Sequence, residues 1–245
     1  MFKRLKVIGG GVLAFSVLLI LAAQYVKAQA ARAQTQRQVQ FHIATRIEPV
    51  VVTKITLGNV AVQPGRFIKT VGTPTDPVTP FWADDDWVQN LTVYLLNRTN
   101  QTIVYSSVYF SFPETSDLLT HSRAVFPLTL GRIPPSVTVD MNGKAVRQRP
   151  ESQPILFRPG QTMAIHLGDY IDQIKTDVES VKPLAALTTV EVGFGRFFFA
   201  DGMQWNGGYR VLDPQSSNWR RMGPDYFPGD MDGRWPGRTG WIDQQ

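Results

Sequence analysis

The chain contains no cysteine among its 245 residues. This absence excludes disulfides, zinc sites with thiolate ligands, iron–sulfur clusters and cysteine nucleophiles. Histidine is also scarce, with residues at His42, His121 and His166. None of them has a nucleophile or a metal ligand at a useful spacing in its own segment, and no nucleophile-elbow motif is present. The sequence therefore predicts no catalytic residues, no metal site and no cofactor.

Charged residues are sparse, at 18% of the chain, whereas hydrophobic residues make up 43%, which is typical of a globular protein. The net charge of +5 is unevenly distributed along the chain. Residues 1–46 contain seven Lys and Arg and no acid, which leaves 18 basic against 20 acidic residues in 47–245. No basic stripe is visible in the folded part, so we expect no nucleic-acid partner.

The longest apolar run lies at the N-terminus. A basic segment, Phe2-Lys3-Arg4-Leu5-Lys6, precedes an uncharged and mostly apolar run from Val7 to Ala23, and Ala28-Gln29-Ala30 follows it. This order predicts, for residues 1–30, either a cleaved signal peptide or a membrane anchor formed by residues 7–26, with a buried core helix as the remaining alternative. Under either of the first two interpretations, the rest of the chain is exported to the periplasm, the cell envelope or the medium.

The most regular stretch of the chain runs from Trp87 to Pro113. Apolar and polar residues alternate on both sides of a polar turn, Asn97-Arg98-Thr99-Asn100-Gln101, whose Asn side chains can bond the turn backbone. We interpret this stretch as two paired strands, the central hairpin of a β-sandwich. Together with the other short strands and turns, it predicts an all-β, immunoglobulin-like β-sandwich over residues 48–213.

Other segments of the sandwich have local signals of their own. Further hairpins are predicted around Gly58-Asn59, Asp140-Met141-Asn142-Gly143 and Ala200-Asp201-Gly202. The proline-rich segment 73–80 is predicted to be a stiff loop that does not pair.

One short helix is predicted at about residues 169–182, capped by Asp169 and ended by Pro183. Residues 31–47 are rich in Ala, Gln and Arg, and are predicted to be a linker in the form of a short helix or stalk.

Six segments between residues 84 and 208 form a recognisable pattern. They are Asp84-Asp85-Asp86-Trp87, Leu91-Thr92-Val93, Asn97-Arg98-Thr99, Ile103-Val104-Tyr105, Phe112-Pro113, and Phe198 to Gly208 with the spacing Phe-x-x-Asp-Gly-x-x-Trp-x-x-Gly. This pattern resembles a family of exported bacterial proteins with an immunoglobulin-like β-sandwich. The resemblance spans about residues 48–212 and implies the fold and export, but no activity.

The C-terminal tail, residues 214–245, is dense in Gly, Pro and Trp and has no clear periodicity. Its aromatic residues are the predicted binding residues of the chain. They are Trp219, Tyr226, Phe227, Trp235 and Trp241. Exposed aromatic residues at this density favour aggregation, so the tail is expected either to wrap its own domain or to dock on a partner. Trp87 and Trp205, in contrast, are predicted to be core residues.

Two acidic segments carry residue types suited to ligand chemistry. Asp84-Asp85-Asp86 and Asp230-Met231-Asp232 offer the oxygen atoms that calcium prefers, but consecutive acids before a strand are more often a solvated turn. The first segment, together with Asp201, would supply the paired carboxylates of a glycan hydrolase if a cleft held them apart at a fixed distance.

The expected function is that of a non-enzymatic exported module that binds another envelope protein or a surface polymer through the tail or an exposed sheet edge. Two alternatives stay open. One is a carbohydrate-active enzyme with paired carboxylates, and the other is a purely structural domain on a membrane stalk.

Overall fold

The computed structural model of the chain describes residues 34–43, 47–68, 73–117, 122–133, 153–212, 219–223 and 228. Within these ranges the chain is a β-sandwich of two sheets with one short α-helix, which confirms the predicted all-β class. The predicted N-terminal hydrophobic helix and the hairpin at 140–143 lie outside the described residues. No helix in the described ranges has the length and apolar character needed to cross a membrane.

The described residues form fourteen strands. In chain order they are β1 (Thr35–Ile43), β2 (Val50–Leu57), β3 (Val60–Val62), β4 (Gly65–Ile68), β5 (Thr73–Asp76), β6 (Phe81–Ala83), β7 (Leu91–Asn97), β8 (Ile103–Ser111), β9 (Val125–Gly131), β10 (Thr162–His166), β11 (Thr189–Phe199), β12 (Gln204–Trp205), β13 (Tyr209–Leu212) and β14 (Trp219–Arg221). The helix α1 (Ile171–Val178) follows a 3-10 turn at Leu167–Tyr170.

The small sheet has the strand order β10-β7-β2-β3 and is antiparallel throughout. The large sheet is organised around β11. Along one side of β11 run β8 and then β9. Along the other side, β1 pairs in parallel with the first half of β11, and β12 pairs with the second half. Strands β4 and β5 continue outward from β1, while β13 and β14 continue outward from β12.

The predicted central hairpin between Trp87 and Pro113 is wrong, although both of its strands exist. Strand β7 belongs to the small sheet and β8 to the large sheet, so their connection is an arch that crosses the sandwich. Alternation of apolar residues shows which face of a strand is buried, but it does not show which strand lies beside it. Because the buried faces of β7 and β8 oppose each other across the core, the same alternation fits an arch and a hairpin.

Asn97 holds this arch in place and is fully buried. Its Nδ2 donates hydrogen bonds to the carbonyl oxygens of Gln101 and Phe157, both at 2.8 Å. Its Oδ1 accepts from the backbone N–H of Thr99 at 3.0 Å and from the Thr99 hydroxyl at 2.8 Å. These four bonds use both donors and both acceptor positions of the amide. They confirm that an Asn side chain bonds the turn backbone, as the sequence predicts.

The predicted linker is wrong for Thr35–Ile43, which form β1 between β11 and β4 in the large sheet. Val39, Phe41 and Ile43 face the core, and they alternate with polar residues on the other face. The signal is weak in the sequence because Gln and Arg are also good helix formers. Only the pairing with distant strands decides the conformation.

Two other local predictions need correction. The proline-rich segment pairs after all, since Thr73–Asp76 form β5 at the edge of the large sheet, where a proline without an N–H is tolerated. The predicted helix is confirmed but is shorter than expected. It ends at Val178, and its N-cap is Tyr170 rather than Asp169.

The hairpins at Gly58-Asn59 and Ala200–Gly202 are confirmed, as is the burial of Trp87 and Trp205.

Gly131→Ala is expected to destabilise the fold by more than about 2 kcal/mol. Gly131 ends β9 with φ +80°, and a Cβ there would lie 2.2 Å from the carbonyl oxygen of Val104. That oxygen cannot easily move, because it accepts hydrogen bonds from the N–H groups of Arg132 and Ile155. The matched control is Gly58→Ala, because Gly58 has φ +56° and open space around the new Cβ. This variant should lower the free energy of unfolding by only about 1 kcal/mol. Equal losses for the two variants in urea unfolding would show that the Val104 carbonyl does not restrict this position.

Candidate functional site

The outer face of the large sheet carries a row of directly opposed residues on its last four strands. Phe198 on β11 lies opposite Gln204 on β12, Gln204 opposite Arg210 on β13, and Arg210 opposite Arg221 on β14. Opposed residues on adjacent strands point to the same face of a sheet. Phe198 belongs to a small apolar cluster that is separate from the main core, which places these residues on the outer face. We call Gln204, Arg210 and Arg221 the arginine row.

Trp219, one of the predicted binding residues, lies beside this row. It is two residues before Arg221 on β14 and therefore shares its face. The ring is half-buried and packs edge to face on Phe198, with 6.1 Å between the ring centroids. Trp219 thus packs on its own domain and still presents part of its ring next to the arginines. The other four predicted binding residues lie outside the described ranges.

Positive charge is concentrated around the row. Burial lowers the pKa of Arg210, and the nearby charges of Arg221 and Arg196 lower it further. Arg196 is half-buried and Arg221 is exposed. Within the part of the chain that the structure describes, neither Arg196 nor Arg221 forms an ion pair. The site is therefore electropositive, and at least two of its guanidinium groups are available to an anion.

Gln204 adds a buried polar group at the base of the row. Its residue is 1% exposed, and neither Nε2 nor Oε1 has a hydrogen-bond partner among the described residues. A buried polar group without a partner costs about 1–3 kcal/mol. Such groups are uncommon in native proteins, and many of them are satisfied by a ligand or an ordered water.

A second polar cluster surrounds Glu191, on the same outer face but in the first half of β11. Glu191 is 8% exposed, and one of its oxygens, Oε2, receives three partners. The hydroxyl of Ser111 donates to it at 3.1 Å, His42 Nε2 lies 3.4 Å away, and Arg123 forms an ion pair with it. Burial alone would raise the pKa of Glu191, but the His42 contact, the charge of Arg123 and the Ser111 hydrogen bond hold it below its ordinary value.

The Glu191 cluster has the residue types of a catalytic triad but not its geometry. In a triad the hydroxyl bonds to the imidazole, which takes the proton as the nucleophile attacks. Here the hydroxyl of Ser111 donates to the carboxylate instead. Through Glu191, the arrangement links β1, β8, β11 and the segment before β9, so its role is to stabilise the fold. His42 lies on β1, within the range predicted to be a linker, and its partner Glu191 lies far along the chain.

Glu191→Gln is expected to lower the free energy of unfolding at neutral pH by about 1–3 kcal/mol, because His42 and Arg123 lose their carboxylate. A carboxylate whose folded pKa is depressed stabilises the fold above its ordinary value of 4.5 and loses this contribution as the pH falls through the lower folded value. Wild-type stability should therefore fall more steeply than that of the variant below about pH 4.5. Urea unfolding across this range measures both curves, and parallel curves would contradict the prediction.

The acidic segment Asp84–Asp86 is a solvated turn next to β1. Asp84 Oδ1 accepts the backbone N–H of Asp86 at 3.2 Å, and the largely exposed Asp85 lies 3.3 Å from Nη2 of Arg37. Within the described ranges, no three His, Cys, Asp or Glu side chains converge as metal ligands. Residues 230–232 lie outside these ranges.

The predicted pairing of this acidic segment with Asp201 is wrong. Arg37, which holds Asp85, bonds the carbonyl oxygen of Leu187 just before β11 begins, whereas Asp201 lies in the turn after β11 ends. In that turn, Asp201 Oδ1 accepts the N–H of Met203 at 3.0 Å. Strand β11 has 11 residues, which span about 35 Å. The two carboxylates of a glycosidase lie within about 10 Å of each other, so these residues cannot act as such a pair.

Comparison of the chain with protein-family models, with curated proteins and with solved structures gives no match. The resemblance to exported bacterial β-sandwich proteins therefore stays a prediction. The function is inferred from the geometry of the outer face.

Proposed function

We propose that this chain is a non-enzymatic, exported binding module of the cell envelope that holds a surface polymer or another envelope protein on the outer face of its large sheet. The observation that carries this proposal is the half-buried ring of Trp219 beside Arg221 and Arg210. Tryptophan and arginine are the residues most enriched among those that dominate binding energy at interfaces. Here a tryptophan and two arginines lie next to each other on one sheet.

The chemistry of these side chains supports binding. A tryptophan ring offers a flat apolar surface with little conformational entropy to lose, and it suits a sugar face or an apolar side chain. A guanidinium group presents a planar fork of donors that matches a carboxylate or a phosphate. Because these groups lie on β-strands, their positions are largely fixed before a partner arrives, which lowers the entropic cost of binding.

Export is supported by the order of the N-terminal segment, in which Lys3, Arg4 and Lys6 precede the apolar run. Strand β1 begins at Thr35, so eight residues, 27–34, separate residue 26 from the large sheet. Eight residues reach at most about 29 Å. A retained anchor would hold the domain close to the membrane, which argues against a long structural stalk.

The variant Trp219→Ala tests this function. The measurement is the binding of the purified full chain, in mild detergent, to isolated cell envelopes. Loss of a central tryptophan from an interface weakens binding by about tenfold or more. The matched control is Trp82→Ala, because Trp82 is a tryptophan on β6 with 64% exposure. We expect the wild type and the control to be retained to the same extent and Trp219→Ala to be released. Equal retention of both variants, or no retention of the wild type, would contradict the proposal.

A further inference from the structure

We infer that the site formed by the arginine row, Arg196 and Trp219 binds an acidic polysaccharide, with its carboxylates on the guanidinium groups of Arg196 and Arg221 and a sugar ring against Trp219. This inference deepens the proposed function and rests on it, because it names the chemical class of the partner. It draws on three features of the site: opposed like charges, an unpartnered buried amide and an aromatic surface.

The first feature is the direct opposition of Arg210 and Arg221 on neighbouring strands. Like charges directly opposite each other in a sheet destabilise it. Gly208 contributes to this arrangement, because a Cβ at that position would lie 3.3 Å from Nε and Nη2 of Arg221. The glycine thus leaves room for the guanidinium to lie against the backbone. The charge of Arg210 thus lies next to Arg221, whose exposed guanidinium forms no ion pair among the described residues and can bind an anion.

The second feature is the amide of Gln204, which is buried directly beside Arg210 in the row and has no hydrogen-bond partner among the described residues. An amide can donate to one oxygen of a ligand and accept from a hydroxyl group. Acidic polysaccharides carry carboxylates and hydroxyl groups along the chain, so such a ligand can satisfy this amide as well as the guanidinium groups.

The third feature is the combination of Trp219 with the charges. Nucleic acids also bind to aromatic residues and arginines, but they carry a dense charge and favour an extended basic surface. Residues 47–245 contain 18 basic and 20 acidic residues, so the positive charge of this domain is local. One half-buried ring and a few guanidinium groups fit a polymer with a lower charge density and flat sugar faces.

The test measures affinities of the purified full chain for polygalacturonate, for its fully methyl-esterified neutral form, for polyphosphate and for single-stranded DNA. We expect polygalacturonate to bind most tightly and the neutral ester to bind at least about tenfold more weakly, since charge-assisted hydrogen bonds contribute strongly. Equal affinity for the neutral ester, tighter binding of polyphosphate or DNA, or no binding of any polymer would overturn the inference.

Two variants and a control locate the site. Arg196→Gln/Arg221→Gln is expected to lose at least about tenfold in affinity for polygalacturonate without a lower melting temperature, because neither guanidinium forms an ion pair among the described residues and both lie near the like charge of Arg210. The control Lys175→Gln/Lys182→Gln removes the same charge from an exposed position in α1 and a half-buried position after it, and its affinity should stay within about twofold of the wild type. Gly208→Val keeps the charge but displaces the Arg221 guanidinium, and it should also weaken binding. Equal losses in the arginine variant and the lysine control would overturn the assignment.

The outcomes separate this inference from the proposed function. If the wild type binds cell envelopes through Trp219 but does not prefer polygalacturonate, the binding module stands and the acidic polysaccharide is wrong. If the wild type does not bind envelopes, the proposed function itself is contradicted.

Discussion

Asn97→Ala is expected to lower the free energy of unfolding by about 3 kcal/mol or more. The substitution removes four hydrogen bonds in a fully buried position at the point where the chain crosses from the small sheet to the large sheet. The backbone N–H of Thr99 loses its acceptor, and the carbonyl oxygens of Gln101 and Phe157 each lose a donor. Buried groups that lose a partner cost more than the net value of the bond.

The control for this variant is Asn100→Ala, three residues later in the same connection. Asn100 is exposed, so its loss should change stability by less than about 0.5 kcal/mol. Urea unfolding, followed by tryptophan fluorescence and by circular dichroism, measures both variants. A small effect of Asn97→Ala, comparable to that of the control, would mean that the arch does not depend on this side chain.

Arg37→Ala is expected to destabilise the fold by about 3–5 kcal/mol. Arg37 is 1% exposed, although it carries a charge. Its guanidinium donates to the carbonyl oxygens of Leu187 and Ala185, and its Cζ lies 5.7 Å from the ring centroid of Trp87. These contacts attach the start of β1 to the segment before β11, so the substitution leaves a cavity and two carbonyl groups without this donor.

The salt bridge of Arg37 with Asp85 contributes little to this effect. The Asp85 side chain is 63% exposed, and a carboxylate in water gains little from an ion pair. Asp85→Ala should therefore cost less than about 1 kcal/mol. A double-mutant cycle measures the coupling of the two residues directly. A coupling energy above about 2 kcal/mol would show that the ion pair, rather than the backbone hydrogen bonds and the packing on Trp87, holds Arg37.

The sequence predicts which residues of the sandwich are buried better than it predicts which strands are neighbours. Leu91, Val93 and Leu95 share a buried face, as their alternation indicates. The same alternation cannot tell an arch from a hairpin, because both bury that face. The position of β1 in the large sheet cannot be predicted from the local sequence either, since its parallel partners β11 and β4 are fixed by tertiary contacts rather than by a turn.

The candidate site is subject to the same limit, because strand pairing cannot be predicted from the sequence. Trp219 is recognisable from the sequence as an aromatic residue in a segment dense in Gly and Pro, a composition that suggests binding. The arginine row is not, because Arg196, Arg210 and Arg221 come from three strands and are spaced without period in the chain. Only the strand register brings them to one face, so charge patterning along the sequence could not reveal this positive patch.

Hydrogen–deuterium exchange of the full chain, with and without polygalacturonate, tests the central claim most directly, because it locates the bound polymer on the protein. We predict slower exchange in peptides that cover Tyr209–Leu212 and Trp219–Arg221, the strands β13 and β14, and no change in β10 or β3 of the small sheet. Protection of the small sheet, or polymer binding without protection of β13 and β14, would contradict the proposal that the outer face of the large sheet is the binding site.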